Sequence, residues 1–109
     1  MNKKIEEIDF MKSNGIVPVI VQDANTKKIL TLAYSNKESL ELTKKTGNSW
    51  FWSRSRNKLW MKGEESGNVQ KIKEILVDCD SDALIYLVEP SGPACHTGEE
   101  TCFHNELEK

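Results

Sequence analysis

Two apolar runs separated by a polar turn occupy the first third of the chain, as expected for a pair of strands. Residues 16–23, IVPVIVQD, are rich in β-branched side chains, and residues 29–35, ILTLAYS, form a similar run after a polar turn at 24–28. Short β-branched runs bounded by turn residues are typical of strands. This segment therefore predicts two neighbouring strands joined by a turn.

Further apolar runs predict more strands. Aromatic residues dominate 48–55 and 58–63, and the short polar turn between them predicts a hairpin. Residues 69–79 alternate imperfectly, whereas residues 83–90 form a short β-like run that ends on a proline. The tail, residues 91–109, is rich in turn residues and shows no clear periodicity, so no element is predicted there.

Near the N-terminus the spacing of apolar residues is helical. Within residues 5–12, IEEIDFMK, apolar side chains recur every three residues or so, which predicts a short amphipathic helix. The Asn-Gly pair at 14–15 is expected to end it.

A second helix is predicted at residues 36–46. Ser35 followed by Glu38 matches a capping box, and Gly47 provides a stop at the other end. With one or two helices and a majority of strands, the predicted fold is a strand-dominated α+β single domain.

Composition excludes several classes of protein. The chain has 109 residues, which predicts one domain, and its net charge of −2 argues against a general nucleic-acid binder. No apolar stretch reaches 18 residues, and the N-terminus lacks the apolar region of a secretory signal. Three cysteines are an odd number, so a disulfide framework is not expected. The predicted location is the cytoplasm.

Three acids, Asp78, Asp80 and Asp82, occupy alternate positions just before an apolar run. In a straight strand they would share one face, with Cys79 and Ser81 on the other, and would stand roughly 6.5–7 Å apart. That spacing is too wide to enclose one ion, so either the chain bends here or water completes the coordination. Oxygen ligands suit Mg²⁺ or Ca²⁺. A solvated turn without any metal is the alternative.

The acidic segment does not match an EF-hand. The sixth position of that calcium loop is glycine, whereas this chain has Ala83, and the following residues have the pattern of a strand.

Three cysteines, Cys79, Cys95 and Cys102, are the candidate ligands for a softer metal. No C-x-x-C pair is present, so a common structural zinc site is not predicted. Three thiolates would leave zinc one open position, which is the arrangement of catalytic sites. His96 is adjacent to Cys95 and is a candidate ligand or acid–base group. The alternative is that the cysteines are small buried residues.

His104 has no comparable setting in the sequence, and we expect it to be an ordinary surface histidine.

A basic strip lies in the predicted aromatic hairpin and just after it. Arg54, Arg56 and Lys62 offer cationic groups for phosphate oxygens, and Ser66 begins a tight turn whose amides could join them. A solvated hairpin tip is the simpler interpretation of the same residues.

Together these motifs resemble one known family. FWSRSRNKLWMKGEESGNVQ, DCDSDALI and GPACHTGEETCF are similar to the three signature blocks of phosphoribosyl-AMP cyclohydrolase, in the same order. The resemblance covers roughly residues 15–104 and implies one cyclohydrolase domain over 1–109. The pyrophosphohydrolase domain that is fused to this enzyme in some relatives is expected to be missing.

The resemblance also implies particular site residues and an assembly. By analogy with the family, Cys79, Cys95 and Cys102 would bind Zn²⁺, and the three aspartates of the DCDSD segment would bind Mg²⁺. The zinc ligands would come from both subunits of an intertwined homodimer, with Cys79 contributed across the interface.

The activity that the resemblance implies is a step of L-histidine biosynthesis. Zinc-activated water would attack C6 of phosphoribosyl-AMP, and cleavage of the N1–C6 bond would open the purine ring and give the phosphoribosyl-formimino-AICAR phosphate. His96 would carry the proton, while Arg54, Arg56, Lys62 and Ser66 would bind the substrate, which has a phosphate at each end. Competing hypotheses are a zinc-stabilised binding module for an anionic partner and a hydrolase related to nucleotide deaminases. The deaminase pattern needs a C-x-x-C pair that this chain lacks.

Overall fold

The computed structural model describes residues 2–109, and a four-stranded sheet forms its centre. In chain order its strands are β1 (Val17–Asp23), β2 (Ile29–Ser35), β5 (Gln70–Val77) and β6 (Leu84–Pro90), arranged as β2-β1-β6-β5. A separate hairpin is formed by β3 (Trp50–Ser53) and β4 (Lys58–Met61). Helix α1 spans Lys37–Thr46. The predicted strand-dominated α+β class is confirmed.

The two central strands run parallel, whereas the outer pairs are antiparallel. Val19 lies opposite Leu84, and the pairing continues to Asp23 opposite Val88. Inward-facing residues of these strands are almost completely buried, and with residues of α1 and β3 they form one core. Its largest fully buried side chains are Tyr86 and Phe51, whose ring centroids lie 5.7 Å apart.

The first of the two predicted helices is not a continuous helix. The segment instead forms two single-turn 3₁₀ helices, Ile5–Glu7 and Met11–Ser13. Ile8 lies between them and is buried against the core, so the chain bends at the one buried position of this segment. The predicted end is confirmed, because Asn14 takes the left-handed conformation with φ 62°.

The predicted capping box of the second helix was wrong by one residue. Asn36 is the N-cap, and its side-chain oxygen accepts a hydrogen bond from the Ser39 amide at 2.8 Å. Ser39 Oγ in turn accepts from the Asn36 amide at 2.9 Å. Ser35 ends β2 and is fully buried, which leaves Glu38 exposed in the first turn. The stop at Gly47 is confirmed, with φ 78° at the C-cap.

The outer face of the sheet carries a row of apolar side chains. Leu32, Ile20, Ile85 and Leu76 are successive cross-strand neighbours on β2, β1, β6 and β5. Ile20, Leu32 and Leu76 are 37%, 48% and 43% exposed, and Ile85 is half-buried. We call these four residues the apolar row. Within residues 2–109, no helix combines the length and apolar character needed to cross a membrane.

The capping geometry predicts which substitution destabilises α1. Asn36→Ala removes an N-cap hydrogen bond and should lower the free energy of unfolding by about 1 kcal/mol. Glu38→Gln removes only a charge near the helix N-terminus and should cost about 0.3 kcal/mol. Urea denaturation followed by circular dichroism measures both. A larger loss for Glu38→Gln than for Asn36→Ala would contradict the observed cap.

Candidate functional site

A cavity of about 620 Å³ lies between the β3–β4 hairpin and the C-terminal loop. One wall is formed by β4 and the turn that follows it, and the other by residues 93–98. Five residues predicted as functional from the sequence line this cavity: Arg56, Lys62, Ser66, Cys95 and His96. Residues separated by about 40 positions in the chain therefore meet at one site.

Gly63 is required where the cavity wall turns. Its φ of +87° is a conformation that L side chains rarely adopt, and a Cβ there would lie 2.5 Å from the carbonyl carbon of Asn68. The segment 63–68 thus folds back closely on itself. This turn places Lys62 and Ser66 at the same cavity.

Arg54 does not join the other basic residues in that cavity. Its guanidinium lies over the ring of Tyr34, with Cζ 3.8 Å from the ring centroid, beside a second and shallower groove. Neighbouring positions in the turn after β3 point in different directions, so Arg56 lines the first cavity and Arg54 the second groove. The phosphate-binding role of Arg54 stays a prediction.

The C-terminal loop is attached to the free edge of β2. The Cys102 amide donates to the Leu30 carbonyl at 2.7 Å, and Thr101 Oγ1 donates to the Ile29 carbonyl at 2.6 Å. Within the loop, the Cys95 amide donates to the Glu99 carbonyl at 3.1 Å. These bonds hold a segment without secondary structure in a defined position beside the cavity.

Cys95 has the environment of a stabilised thiolate. Thr97 Oγ1 donates to Cys95 Sγ at 3.0 Å, and His104 Nε2 lies 4.0 Å from the same sulfur. Hydrogen bonds from the Thr97 hydroxyl and then the Thr97 amide lower the pKa of Cys95 from 9.0 to about 6, with smaller contributions from His104 and Cys102 and opposition from burial. A thiolate at neutral pH is the form that binds metals.

Two of these residues were missed or misjudged from the sequence. Thr97 was not singled out, although threonine hydroxyls often hydrogen-bond to groups a few residues away in the chain. His104 is exposed, as expected, but it lies beside the Cys95 sulfur rather than apart from the site. No sequence spacing indicates this, since the contact depends on how the tail turns back.

The acidic segment 78–82 is a loop between β5 and β6, so the straight-strand arrangement of alternating faces was wrong. Ser81 has φ 60°, and Asp78 Oδ1 accepts from the Asp82 amide at 2.9 Å. The bend brings ligand atoms of Asp78, Asp80 and Asp82 within 4.8 Å of one another. The alternative in which the chain bends is therefore the one that the structure adopts, and the oxygen donor set suits a hard cation.

Two ammonium groups lie at this acidic loop. Lys3 donates to the Ser81 hydroxyl, and Lys12 pairs with a carboxylate. The Nζ of Lys12 lies 2.8 Å from Asp82 Oδ2. This hydrogen bond, followed by one from Asp78, lowers the pKa of Asp82 below its usual value, and the pKa of Lys12 is raised in return. Lys12 therefore favours the ionised form of Asp82.

The three cysteines do not converge within one chain. Among residues 2–109, the three aspartates are the only set of three or more potential ligands whose atoms lie within 4.8 Å of one another. Cys79 is exposed on the loop after β5, whereas Cys102 is attached to β2 at the opposite edge of the sheet. Three strand spacings separate these edges, roughly 14 Å.

The Thr97 hydrogen bond predicts a measurable change in the reactivity of Cys95. In metal-free protein, the rate of alkylation of Cys95 should rise through a pH of about 6, because only the thiolate reacts. Thr97→Val removes the strongest stabilising contact and should move this transition to higher pH. Mass spectrometry of the Cys95 peptide after iodoacetamide pulses measures both curves. Thr46→Val, at the exposed end of α1, should leave the transition in place; an unmoved curve in Thr97→Val would contradict the assignment.

Comparison with known proteins agrees with the resemblance in the sequence blocks. The profile of the family described as phosphoribosyl-AMP cyclohydrolase matches residues 31–104. The phosphoribosyl-AMP cyclohydrolase of Nitrosopumilus maritimus is 82% identical over 107 residues, covering 98% of this chain and 99% of that protein. The enzyme of the same name from Archaeoglobus fulgidus is 61% identical over 102 residues, with 94% of each chain covered.

A two-function relative matches over part of its length. The histidine biosynthesis bifunctional protein HisIE of Bacillus subtilis is 59% identical over 104 residues, which are 95% of this chain and 49% of that protein. Family profile and relatives cover both walls of the cavity, the acidic loop and all three cysteines. The chain belongs to the phosphoribosyl-AMP cyclohydrolase family of hydrolases.

Proposed function

We propose that this chain hydrolyses the N1–C6 bond of phosphoribosyl-AMP in the biosynthesis of L-histidine. The observation that carries the proposal is the cavity that brings Arg56, Lys62, Cys95 and His96 together in a chain of this family. Its volume of about 620 Å³ is within the usual range for sites that enclose a small molecule. Relatives named for this activity support the assignment.

Some residues of the cavity would bind the substrate, and another would transfer a proton. Arg56 and Lys62 supply positive charge for a phosphate group of the substrate, and the Ser66 hydroxyl lies on the same wall. His96 lies on the opposite wall next to Cys95, where it can take a proton from the attacking water and return it to ring nitrogen N1. Arg54, on its Tyr34 platform, remains the candidate for the second phosphate.

Two metal sites complete the proposal. Cys95 and Cys102 would hold Zn²⁺ together with Cys79, and the low pKa of Cys95 favours the thiolate that such a ligand needs. Zinc bound there would supply the Lewis acidity that activates water at neutral pH. The converging carboxylates of the acidic loop would hold Mg²⁺, which would contribute positive charge toward the phosphates.

The separation of the cysteines supports a homodimer. Since Cys79 and Cys102 lie at opposite edges of the sheet, a zinc ion bound by both would draw on two copies of the chain. The apolar row offers the surface for that contact, because it presents four aliphatic side chains across all four strands.

Turnover of phosphoribosyl-AMP tests the activity. The absorbance change of the opening purine ring should appear with the wild-type chain and disappear after treatment with a zinc chelator, with zinc measured per chain. His96→Ala should lower kcat by about 10²–10⁴-fold, the usual contribution of an acid–base group, while zinc content stays intact. No turnover by zinc-loaded protein would overturn the proposal, and loss of zinc from His96→Ala would make His96 a ligand.

Hybrid dimers test whether the zinc site is shared. Cys79→Ser and Cys95→Ser homodimers should each be inactive. A hybrid of the two, co-expressed with different tags and purified, keeps one complete site and should regain about half of the wild-type activity. An inactive hybrid would show that Cys79 acts within its own chain.

The apolar row provides the control for this experiment. Leu32→Lys should shift the protein toward monomer in analytical ultracentrifugation and prevent reconstitution, because it buries an unpaired charge at the proposed contact. Leu107→Lys, at a position 94% exposed in the tail, should leave the dimer unchanged.

A further inference from the structure

We propose that the side-chain amide of Asn68 recognises the N6/N7 edge of the purine ring of the substrate. This inference rests on the proposed function and adds a residue that determines which base the cavity accepts. Asn68 lines the same cavity as Cys95 and His96. Within residues 2–109 it is the only carboxamide side chain in that lining; the other polar side chains there are hydroxyls, a thiol, an imidazole and charged groups.

Two glycines hold Asn68 in place. A Cβ at Gly63 would lie 2.5 Å from the Asn68 carbonyl carbon, so the Asn68 backbone rests directly on Gly63. A Cβ at Gly92 would overlap Oδ1 of Asn68 and lie 2.8 Å from its Cγ. The side chain therefore lies against the bare backbone of Gly92, at the end of β6. Gly63 thus fixes the backbone of Asn68, and close packing on Gly92 restricts the rotamers of its side chain before any ligand arrives.

The amide itself is available for a ligand. Only the backbone amide of Asn68 makes a local hydrogen bond, donating to Ser66 Oγ at 3.2 Å. In the described part of the chain, neither Oδ1 nor Nδ2 is hydrogen-bonded to another residue, and the side chain is half-buried at the cavity wall. A positioned amide with a free donor and a free acceptor is suited to a ligand that carries an acceptor next to a donor.

The adenine ring presents that pair. Its exocyclic N6 carries an N–H donor and its N7 is an acceptor, and an asparagine amide can bond both at once. This edge is adjacent to C6, the carbon that is attacked, so the same contact would orient the reacting atom toward His96 and Cys95 on the other wall. Neither N6 nor N7 loses its bonds to the ring carbons when N1–C6 is cleaved. Attack makes C6 tetrahedral and moves N6 out of the ring plane, whereas N7 stays in place. The N7 half of the contact is consequently kept in substrate and transition state, and its loss should raise KM more than it lowers kcat.

A substrate analogue isolates the proposed contact. In 7-deaza-phosphoribosyl-AMP a C–H group replaces the N7 acceptor. Wild-type enzyme should process it with kcat/KM lowered about 10- to 100-fold, the usual discrimination of such a hydrogen bond. Asn68→Ala should lose a comparable factor on the natural substrate, mainly through KM, and should no longer distinguish the two substrates. Asn25→Ala, in the exposed turn after β1, is the matched control and should behave as wild type.

Substitution of Gly92 provides a second, independent test of the role of Asn68. The φ of Gly92 lies outside the left-handed region, so alanine is compatible with the backbone, and the atoms in its way belong to the flexible end of Asn68. Gly92→Ala should fold, displace the amide and lose a similar factor in kcat/KM. Because Asn68→Ala removes the overlapping atoms, Asn68→Ala/Gly92→Ala should be no worse than Asn68→Ala alone.

The outcomes separate the two proposals. If the wild-type chain is active but Asn68→Ala still discriminates against the 7-deaza substrate, the inference about Asn68 is wrong and the proposed function stands. Additive losses in the double variant would also overturn it, since Gly92 would then act by another route. A zinc-loaded wild-type chain without turnover would overturn both. Thermal unfolding midpoints close to wild type confirm that each variant is folded.

Discussion

The parallel pairing of β1 with β6 is the constraint on which the other features of this structure depend. It joins residues 19–23 to residues 84–88, more than 60 positions later, and it buries Val19, Val21 and Tyr86 completely. Parallel strands cannot be joined by a tight turn, so a long connection must link β1 to β6. Within that connection β2 and β5 form the two edges of the same sheet, and the helix and the aromatic hairpin lie between them in the chain. A chain with this pairing weakened would lose the core and the relative position of both cavity walls.

The same pairing explains why the chemistry lies at the ends of β6. The acidic loop precedes β6 directly, and the cysteine loop follows it. Because β6 is central and immobilised on both sides by β1 and β5, two irregular segments start from fixed points. Hydrogen bonds from Thr101 and Cys102 to the β2 edge then complete the attachment of the second loop. Loops held by a rigid sheet are the usual place for binding and catalytic groups.

The acidic loop and the cysteine loop differ in their charged groups and in the contacts that stabilise them. Three carboxylates crowd the first loop, and their repulsion is offset by amide hydrogen bonds to Asp78 and by the Lys12 ammonium. One ion pair leaves the three carboxylates only partly neutralised, so a divalent cation can compete with Lys12. In the second loop, Thr97 stabilises a thiolate at Cys95. One segment thus favours a hard cation and the other a soft one, on a protein with net charge of only −2.

Much of the architecture could be predicted from local pattern, since the strand runs and the Gly47 stop are properties of short segments. The predictions that were wrong concern local geometry that depends on burial. The cap moved from Ser35 to Asn36 because Ser35 is needed at the buried end of β2, and the first helix broke where Ile8 enters the core. Likewise, Arg54 and Arg56 look equivalent in the sequence, yet only the fold directs one to Tyr34 and the other into the cavity.

The sequence by itself determined the family, the fold class and the types of group available: carboxylates, thiols, guanidinium groups and an imidazole. These follow from the identity and order of the residues alone. Tertiary structure alone decided which groups meet. The bend of the DCDSD segment, the approach of His104 and Thr97 to Cys95, and the seating of Asn68 against Gly92 all arise from contacts between distant parts of the chain. Such contacts depend on the packing of the whole core, and the periodicity of the sequence does not predict them.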